Sequence, residues 1–315
     1  MGVSKTRDLE YLDALDEKKP EILGAQDLIS EGLAVWKSGG LKRGTLTGWE
    51  NLDKYYSVEP GQLTVVTGWP GSGKSTWVSA LCVNLSAEGW RFVVYSPESW
   101  PSPIQSIMLA QQLARKPFQN HPDKMTEQEA ESVLEVVAER FCILHGSSGQ
   151  LNVADITNAA APKLAQFGDH KKALVIDPWN ELEHSMPYGE SETLYVSKQL
   201  SIIRNWARKH EIHVFIVAHP AKIKIEGGKV PVARPMDIAG SQNWWNKPDV
   251  CISVFRDFES PDKTDIEIYI HKCRFAHIGR IGAARLWFEE LTGTYRVPPA
   301  DVVKKNGGKR YDADW

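Results

Sequence analysis

The chain has 315 residues, of which 42% are hydrophobic and 24% are charged, and its formal net charge is −3. This length allows one large core or two small ones, and the composition is that of a globular protein. The charge excludes a protein that coats nucleic acid over its whole surface, so any nucleic-acid contact has to be local.

Cysteine spacing and hydropathy indicate the cellular compartment in which the protein is expected. The four cysteines stand singly, without the paired spacing of a disulfide frame or a zinc site, at positions 82, 142, 251 and 273. They predict small core residues in a reducing compartment, so we expect a cytoplasmic protein. No apolar run approaches the roughly 20 residues that span a bilayer, and we expect no membrane partner.

Residues 1–43 differ from the rest of the chain, because they are charged and carry apolar residues at helical spacing. The spacing predicts two short amphipathic helices, with apolar positions at Leu9, Leu12 and Leu15 and again at Ile22, Leu28, Ile29, Leu33 and Trp36. Helices of this length do not form a core alone, so we expect them to dock on another surface. A globular part is predicted over 44–298, followed by a flexible tail over 299–315.

The most informative stretch lies between residues 63 and 79. An apolar strand leads into a glycine-rich octet, and an amphipathic helix is predicted from Thr76 to Leu85. The octet is Gly68-Trp69-Pro70-Gly71-Ser72-Gly73-Lys74-Ser75. It satisfies G-x-x-x-x-G-K-[ST] in the strand–loop–helix context that this phosphate-binding motif requires. We expect the loop N–H groups to hold a nucleoside triphosphate, Lys74 to reach its β and γ oxygens, and Ser75 to ligate Mg²⁺.

Short apolar runs alternate with longer amphipathic runs through the rest of the globular part. The predicted strands are Leu63–Thr67, Arg91–Tyr95, Phe141–His145, Ala173–Asp177, Val214–Ala218 and Val250–Val254, with helices at Thr126–Arg140, Ile156–Gln166 and Leu194–His210. This alternation predicts an α/β fold with a mainly parallel central sheet covered on both faces. From Ile266 the apolar residues alternate with a period of two, which predicts that antiparallel C-terminal strands extend the sheet.

Three polar residues lie at the ends of predicted strands or just after them. Asp177 ends an apolar strand, where a Walker B aspartate would hold Mg²⁺, and the alternative is a cap of the turn at Pro178. Glu98 lies just past Arg91–Tyr95, where a carboxylate can polarise an attacking water, and a solvated loop glutamate is equally compatible with the spacing. His219 follows Val214–Ala218 and can hydrogen-bond a γ-phosphate; its alternative is a histidine satisfied in a turn before proline.

A basic, glycine-bearing segment follows His219. Its lysines, Lys222, Lys224 and Lys229, can grip a nucleic-acid backbone, although a solvated basic loop is the default interpretation of such a run. Further on, Trp244 and Trp245 are too close in sequence to face one core together from a strand. They line an interface or stack on a base, or at least one of them packs in the core, which is what we expect.

In order and spacing, these motifs resemble the helicase domain of the DnaB-like hexameric helicases of RecA fold, in particular the phage primase-helicases and Twinkle-type helicases. The resemblance covers about residues 44–298 and includes Thr47-Gly48-Trp49, the Walker A loop and Asp237–Ser241. It implies that Glu98 is the catalytic glutamate, that His219 is a sensor, and that Lys222 begins the DNA-binding loop. The implied nucleotide-binding residues of the Walker A loop are Gly68, Pro70, Gly71, Ser72, Gly73, Lys74, Ser75 and Thr76.

The same resemblance implies that Lys272 and Arg274 act on the nucleotide of the neighbouring subunit, Arg274 as an arginine finger. Arg256 and Phe288 are expected to sandwich the base, although one residue is inserted between Arg274 and Phe288 relative to the family pattern. The chain also departs from the family at Trp244-Trp245-Asn246, where relatives carry an Arg-Gln or Tyr-Gln pair. Whether Asn246 replaces that glutamine stays open.

The resemblance implies a replicative DNA helicase with 5′→3′ polarity, assembled as a homo-hexamer or another ring and using ATP, or another NTP or dNTP, with Mg²⁺. Its expected partners are single-stranded DNA and a replisome polymerase or primase in a bacterial or phage-infected cell. No primase segment is recognised, so we expect a helicase without its own primase or the C-terminal part of a larger protein. The alternatives are a recombinase or mediator ATPase that binds single-stranded DNA without unwinding it, and a regulatory ATPase ring that ignores DNA.

Overall fold

The computed structural model describes residues 22–99, 103–146, 149–221, 230–240, 242–258 and 263–299. The expectations for the first N-terminal helix, for Lys222, Lys224 and Lys229, and for the C-terminal tail lie outside the described residues. The chain divides into two compact units, Met1–Lys42 and Arg43–Trp315. The three-part division at residues 43 and 298 stays a prediction.

The first unit contains helix α1 (Ala25–Lys37), which confirms the second predicted N-terminal helix. Its start is capped by Asp27, whose carboxylate accepts the N–H of Gly24 at 2.9 Å. Lys37 lies in the last turn, where a positive charge favours the negative end of the helix dipole.

Within the described residues, the second unit is organised around one nine-stranded sheet with the order β3-β2-β4-β5-β1-β6-β7-β8-β9. The strands are β1 (Leu63–Thr67), β2 (Trp90–Tyr95), β3 (Phe141–Leu144), β4 (Lys171–Ile176), β5 (Ile212–Val217), β6 (Val250–Arg256), β7 (Asp265–Cys273), β8 (Gly282–Glu289) and β9 (Thr294–Arg296). The six strands from β3 to β6 in this order are parallel, and β7, β8 and β9 are antiparallel. The predicted fold class is therefore confirmed.

Helices cover both faces of the sheet and bury two separate cores. The helices are α2 (Lys74–Ala87), α3 (Pro103–Ala114), α4 (Glu127–Arg140), α5 (Val153–Gln166), α6 (Glu192–Lys209) and α7 (Asn243–Asn246), with single 3₁₀ turns at Trp179–Glu181 and Pro235–Asp237. The core on one face includes residues of α2, α3 and α4. The core on the other face includes residues of α5, α6 and α7, among them Trp244, which is fully buried as expected.

Two sequence expectations about helices need correction. The phosphate-loop helix α2 is not amphipathic, because α3 and β9 contact it in addition to the sheet and most of its residues are buried. Helix α3 is absent from the sequence prediction. Gln105 and Gln112 occupy buried positions on it, which interrupts the apolar periodicity that would reveal a helix. Gln112 is nevertheless satisfied, since its amide donates to the carbonyl of Gly293 at 2.9 Å.

The direction of the parallel strands determines where the predicted site residues lie. In the sheet register, Val66 of β1 pairs with Val217 of β5, and Tyr95 of β2 pairs with Ile176 of β4. These four strands therefore end at one edge, which we call the phosphate-loop edge; the loops that follow parallel strands commonly form binding sites at such an edge. None of the helices in the described part of the chain is both long and apolar enough to cross a membrane.

Candidate active site

The phosphate loop connects β1 to α2 through backbone angles that favour glycine. Gly68 has φ 151° and Gly73 has φ 90°, and a Cβ on Gly68 would lie 2.3 Å from the carbonyl oxygen of Val254. A side chain at Gly68 would therefore both strain and crowd the loop. Ser72 completes the loop with a buried hydroxyl that has no hydrogen-bond partner among the described residues. This hydroxyl is available to a phosphate oxygen.

Lys74, the first residue of α2, is almost completely buried at the phosphate loop. Its Nζ donates to the carbonyl oxygens of Gly68 at 2.9 Å and Trp69 at 3.2 Å. Burial lowers the pKa of Lys74, while the nearby carboxylates of Asp177 and Glu98 oppose that shift. An ammonium group held in this way is positioned inside the loop that should receive the phosphates.

Ser75 and Asp177 form a pair of oxygen ligands beside the loop. Asp177 directly follows β4, and the Ser75 hydroxyl donates to its Oδ1 at 3.0 Å. Burial raises the pKa of Asp177 to about 6, against the opposing effect of the Ser75 hydrogen bond. A hydroxyl and a carboxylate at this distance suit Mg²⁺, which prefers oxygen ligands and is commonly shared with substrate phosphates. The residues present thus fit a magnesium–nucleotide complex.

Glu98 and His219 lie together at the same edge. His219 Nε2 is 3.8 Å from Glu98 Oε1, and the backbone N–H of His219 donates to Oδ1 of Asn180 at 2.8 Å. Burial raises the pKa of Glu98, Glu181 raises it further, and Lys74 lowers it. Burial also lowers the pKa of His219, with Lys74 acting in the same direction. The pair therefore combines a partly desolvated carboxylate, which is a suitable base, with a histidine whose neutral form is favoured.

The predicted base-binding pair lies close to the phosphate loop. Arg256 Cζ is 5.9 Å from the centroid of the Phe288 ring, and that ring packs 5.1 Å from the ring of Tyr295. The hydroxyl of Tyr295 in turn donates to the carbonyl of Gly73 at 3.4 Å. The sheet thus brings Arg256 and Phe288 together beside the loop, and their role in holding a base stays a prediction.

A hydrogen bond joins the phosphate loop to the segment that follows the predicted DNA-binding lysines. Trp69 is 4% exposed, and its Nε1 donates to the carbonyl of Pro231 at 2.6 Å. At the other side of that segment, the backbone N–H of Ala221 donates to the carbonyl of Asp237 at 2.7 Å. The backbone on both sides of residues 222–229 is therefore anchored to described structure, on one side directly to the phosphate loop.

Lys272 and Arg274 lie at the opposite edge of the sheet from the phosphate loop. Strand β7 is antiparallel, and its last residue, Cys273, pairs with Val250 at the start of β6. The phosphate loop instead follows the end of β1, five residues of strand away, or roughly 16 Å at the usual rise per residue. Arg274 is therefore separated from the phosphate loop of its own protomer by the length of strand β1.

At this opposite edge, Lys272 and Arg274 both donate to backbone carbonyls at or just after the C-terminal end of α7. Lys272 Nζ donates to the carbonyls of Trp245 at 2.6 Å and Pro248 at 2.8 Å. Arg274 Nε lies 3.0 Å from Oδ1 of Asp249, a carboxylate whose side chain is fully buried. Asn246, whose correspondence to the family glutamine stays open, is exposed, and its backbone carbonyl accepts from Arg274 Nη2 at 2.8 Å.

Sequence reasoning missed several residues that the structure brings to these two edges. They are Asn180, Glu181 and Tyr295 near the phosphate loop, and Asp249 near Arg274. None of them belongs to a motif of fixed spacing, and each contacts a partner that is distant in sequence or lies in a loop. Asp249 carried one local signal, since an acidic residue directly before a buried apolar strand requires a partner for its charge.

The phosphate loop, the Ser75–Asp177 pair and the mainly parallel sheet define a P-loop NTPase of RecA-like fold. Solved structures share this fold at 18% identity. The ATPase domain of G40P has a TM-score of 0.73 and matches over 90% of this chain and 100% of that chain. A DnaB-like replicative helicase, described with its interactions with primase, has a TM-score of 0.72 over 94% of this chain and 71% of that chain. The RadB recombinase follows at 0.52, over 80% of this chain and 99% of that chain.

Sequence relatives specify the family. Residues 53–224 match the AAA domain family model AAA_25. The chain is 33% identical over 312 residues to the Twinkle homolog protein, chloroplastic/mitochondrial, of Arabidopsis thaliana, which covers 94% of this chain and 43% of that protein. It is 24% identical over 251 residues to the replicative DNA helicase DnaB of Haemophilus influenzae, which covers 76% of this chain and 52% of that protein. The chain belongs to this AAA domain family, is similar in sequence to these two helicase proteins, and spans about half the length of these curated relatives.

Proposed function

We propose that the chain is the motor part of a ring-forming replicative DNA helicase. It hydrolyses ATP, or another NTP or dNTP, at subunit interfaces and uses the reaction to move 5′→3′ on single-stranded DNA and unwind the duplex. The supporting observation is that the predicted site is divided between two edges of the sheet: Lys74, Asp177 and Glu98 at one edge, Arg274 and Lys272 at the other. A complete site then requires a second copy of the chain.

The residues at the phosphate-loop edge perform the first half of the reaction. Lys74 and the loop N–H groups hold the phosphates, and Ser75 and Asp177 hold Mg²⁺, which neutralises charge on the phosphate oxygens when bound. Glu98 accepts the proton of the attacking water, a role favoured by the desolvation that raises its pKa. His219, 3.8 Å from Glu98, responds to the loss of the γ-phosphate and connects the site to the segment that begins at Lys222.

The residues at the opposite edge supply the second half from the neighbouring protomer. Arg274 stabilises the charge that develops on the transferred phosphoryl group, and Lys272 assists it. A trans arginine contributes about 10³–10⁵ in kcat in other phosphoryl-transfer enzymes. An isolated protomer should therefore bind nucleotide but hydrolyse it very slowly.

Ring assembly and DNA contact rest on two further segments. Helix α1 carries exposed apolar residues, among them Leu28, Ile29 and Trp36, and we assign it to docking on an adjacent protomer. Lys222, Lys224 and Lys229 contact the phosphates of single-stranded DNA. A primase or polymerase of the replisome is the proposed further partner.

A strand-displacement assay tests the proposal. With MgATP, the protein should displace a strand from a forked duplex that has a free 5′ tail, and the R274A variant should bind nucleotide but lose hydrolysis stimulated by single-stranded DNA. ATP-dependent DNA binding without displacement would favour a recombinase or mediator instead. Hydrolysis indifferent to DNA would favour a regulatory ring, and R274A protein with wild-type hydrolysis would refute the interfacial site.

A further inference from the structure

The carboxylate of Asp249 is buried at the junction between α7 and β6, and it is hydrogen-bonded on both oxygens. Its Oδ1 lies 3.0 Å from Arg274 Nε and 3.3 Å from Arg208 Nη2, and its Oδ2 accepts the N–H of Leu63 at 3.1 Å. The carbonyl of Asp249 also accepts the backbone N–H of Arg274 at 2.8 Å. A buried carboxylate is costly unless it is paired in this way. Asp249 therefore connects the starts of β1 and β6 to the residue that follows β7.

These contacts hold the Arg274 guanidinium along one of its sides. Nε faces Asp249, and Nη2 donates to the carbonyls of Asn246 at 2.8 Å, Pro248 at 3.3 Å and Lys247 at 3.4 Å. Among the described residues, the side-chain contacts of Arg274 use only these two nitrogens. The side chain remains 35% exposed. Its second terminal nitrogen, which is also a hydrogen-bond donor, is thus free to meet a ligand outside the protomer.

The charges near Asp249 leave positive charge uncompensated. Arg208 and Arg274 share the single carboxylate, and Lys272 is close enough for both Arg274 and Asp249 to influence its pKa, which burial lowers. Arg204 also interacts electrostatically with Asp249, Arg208 and Arg274, so one negative charge faces four positive ones. The imbalance favours an anion, such as a phosphate, approaching the free terminal nitrogen of Arg274 from outside.

We propose that Asp249 is a positioning residue of the interfacial site, which directs the guanidinium of Arg274 towards the phosphates of the nucleotide bound by the neighbouring protomer. The inference rests on the proposed trans role of Arg274. A free arginine side chain samples many rotamers, and Asp249 restricts Arg274 to fewer of them before the neighbour arrives. Since Asp249 also accepts the N–H of Leu63, the same carboxylate joins the finger to the strand that carries its own protomer's phosphate loop.

The first test compares two substitutions around one carboxylate. In D249N the side chain keeps its shape but loses the charge that attracts Arg274 Nε. We expect kcat to fall about 100-fold, the cost of displacing a catalytic group by about 1 Å, with little change in KM because the nucleotide is held by the other protomer. R208Q removes the second arginine from the same carboxylate and should lower kcat much less than D249N does, because Arg274 Nε keeps its charged partner.

Mixed oligomers separate positioning from general damage. D249N and K74A chains, each with a different tag, are co-expressed and the assemblies that carry both tags are purified. An interface that takes its phosphate loop from D249N and its Arg274 from K74A has two intact halves, and random mixing produces about one such interface in four. Basal hydrolysis should therefore return in the mixture, although each variant alone has little. R274A mixed with K74A is tested in parallel.

The kcat of D249N and the activities of the two mixtures show whether Asp249 positions Arg274 or supports the phosphate-loop half of its own protomer. Hydrolysis that returns in both mixtures supports the positioning role. Wild-type kcat in D249N alone overturns it, and so does a D249N mixture that stays inactive while the R274A mixture recovers, because the phosphate-loop half is then damaged too. If the R274A mixture itself stays inactive, the trans role of Arg274 fails, and the proposed interfacial site fails with it.

Discussion

Lowering the pH from 7 to 5 should destabilise the protein by about 2 kcal/mol through His213 alone. His213 lies on β5, between β1 and β4, and its side chain is fully buried. Its Nδ1 donates to the carbonyl of Glu59 at 2.7 Å, so Nε2, 3.0 Å from the Thr64 hydroxyl, is the acceptor. Full burial favours the neutral ring, which makes both contacts with Nδ1 as donor and Nε2 as acceptor.

The magnitude follows from the two states of this histidine. Burial lowers the pKa of His213 from its ordinary value of 6.5 to about 4, although the bond to Glu59 opposes the shift. Between these values the unfolded chain binds more protons than the folded one. The contribution to stability is therefore complete above pH 6.5 and is lost as the pH falls towards 4. At pH 5 the unfolded histidine is almost fully protonated and the folded one is not, which corresponds to about 2 kcal/mol.

Chemical denaturation at pH 7 and pH 5 measures this difference. The H213Q variant keeps an amide donor and acceptor but has no titrating group, so its free energy of unfolding should fall by about 2 kcal/mol less than that of the wild type over this range. His271, whose pKa burial also lowers to about 4, remains in both proteins and cancels in the comparison. Equal pH dependence in the two proteins would refute the reasoning.

Three substitutions test the site directly. G68A should abolish ATP binding in calorimetry, because its Cβ would lie 2.3 Å from the Val254 carbonyl, whereas G61A, also at positive φ but with its Cβ 3.8 Å from Cα of Arg208, should still bind; tight binding by G68A would contradict the loop geometry. W69F should lower the free energy of unfolding by about 1 kcal/mol, since it removes the donor to the Pro231 carbonyl, and an unchanged denaturation midpoint would show that this bond contributes nothing. E98Q should bind MgATP with wild-type affinity and not hydrolyse it; retained hydrolysis would remove Glu98 as the base.

The sequence predicts those features of the fold and site that depend only on residues close together in the chain. The octet from Gly68 to Ser75 can be read directly, because the requirement for glycine at positive φ, for a lysine and for a hydroxyl falls within eight residues. The parallel strands could be predicted because burial on both faces produces continuous apolar runs. Chain direction then placed Asp177 and His219 at the same edge as the loop, since parallel strands have a common end.

The sequence does not predict features in which the partner of a side chain, such as a hydrogen-bond acceptor or a covering helix, is distant in the chain. Helix α3 was missed because Gln105 and Gln112 are buried in positions that usually carry apolar residues, and the groups that satisfy Gln112, such as the Gly293 carbonyl, come from a distant turn. The sequence of α2 predicts an amphipathic helix, because nothing in that segment indicates that α3 and β9 cover it.

By itself, the sequence determined the class of fold, the phosphate loop and the family to which the chain belongs. Only the tertiary structure decided that Glu98 and His219 lie 3.8 Å apart, and that Arg274 ends at the other edge of the sheet with its guanidinium against a buried carboxylate. The physical reason is that a motif records what a residue needs from its immediate neighbours along the chain. The partner that neutralises a buried charge is chosen by strand order and direction, which no single stretch of sequence contains.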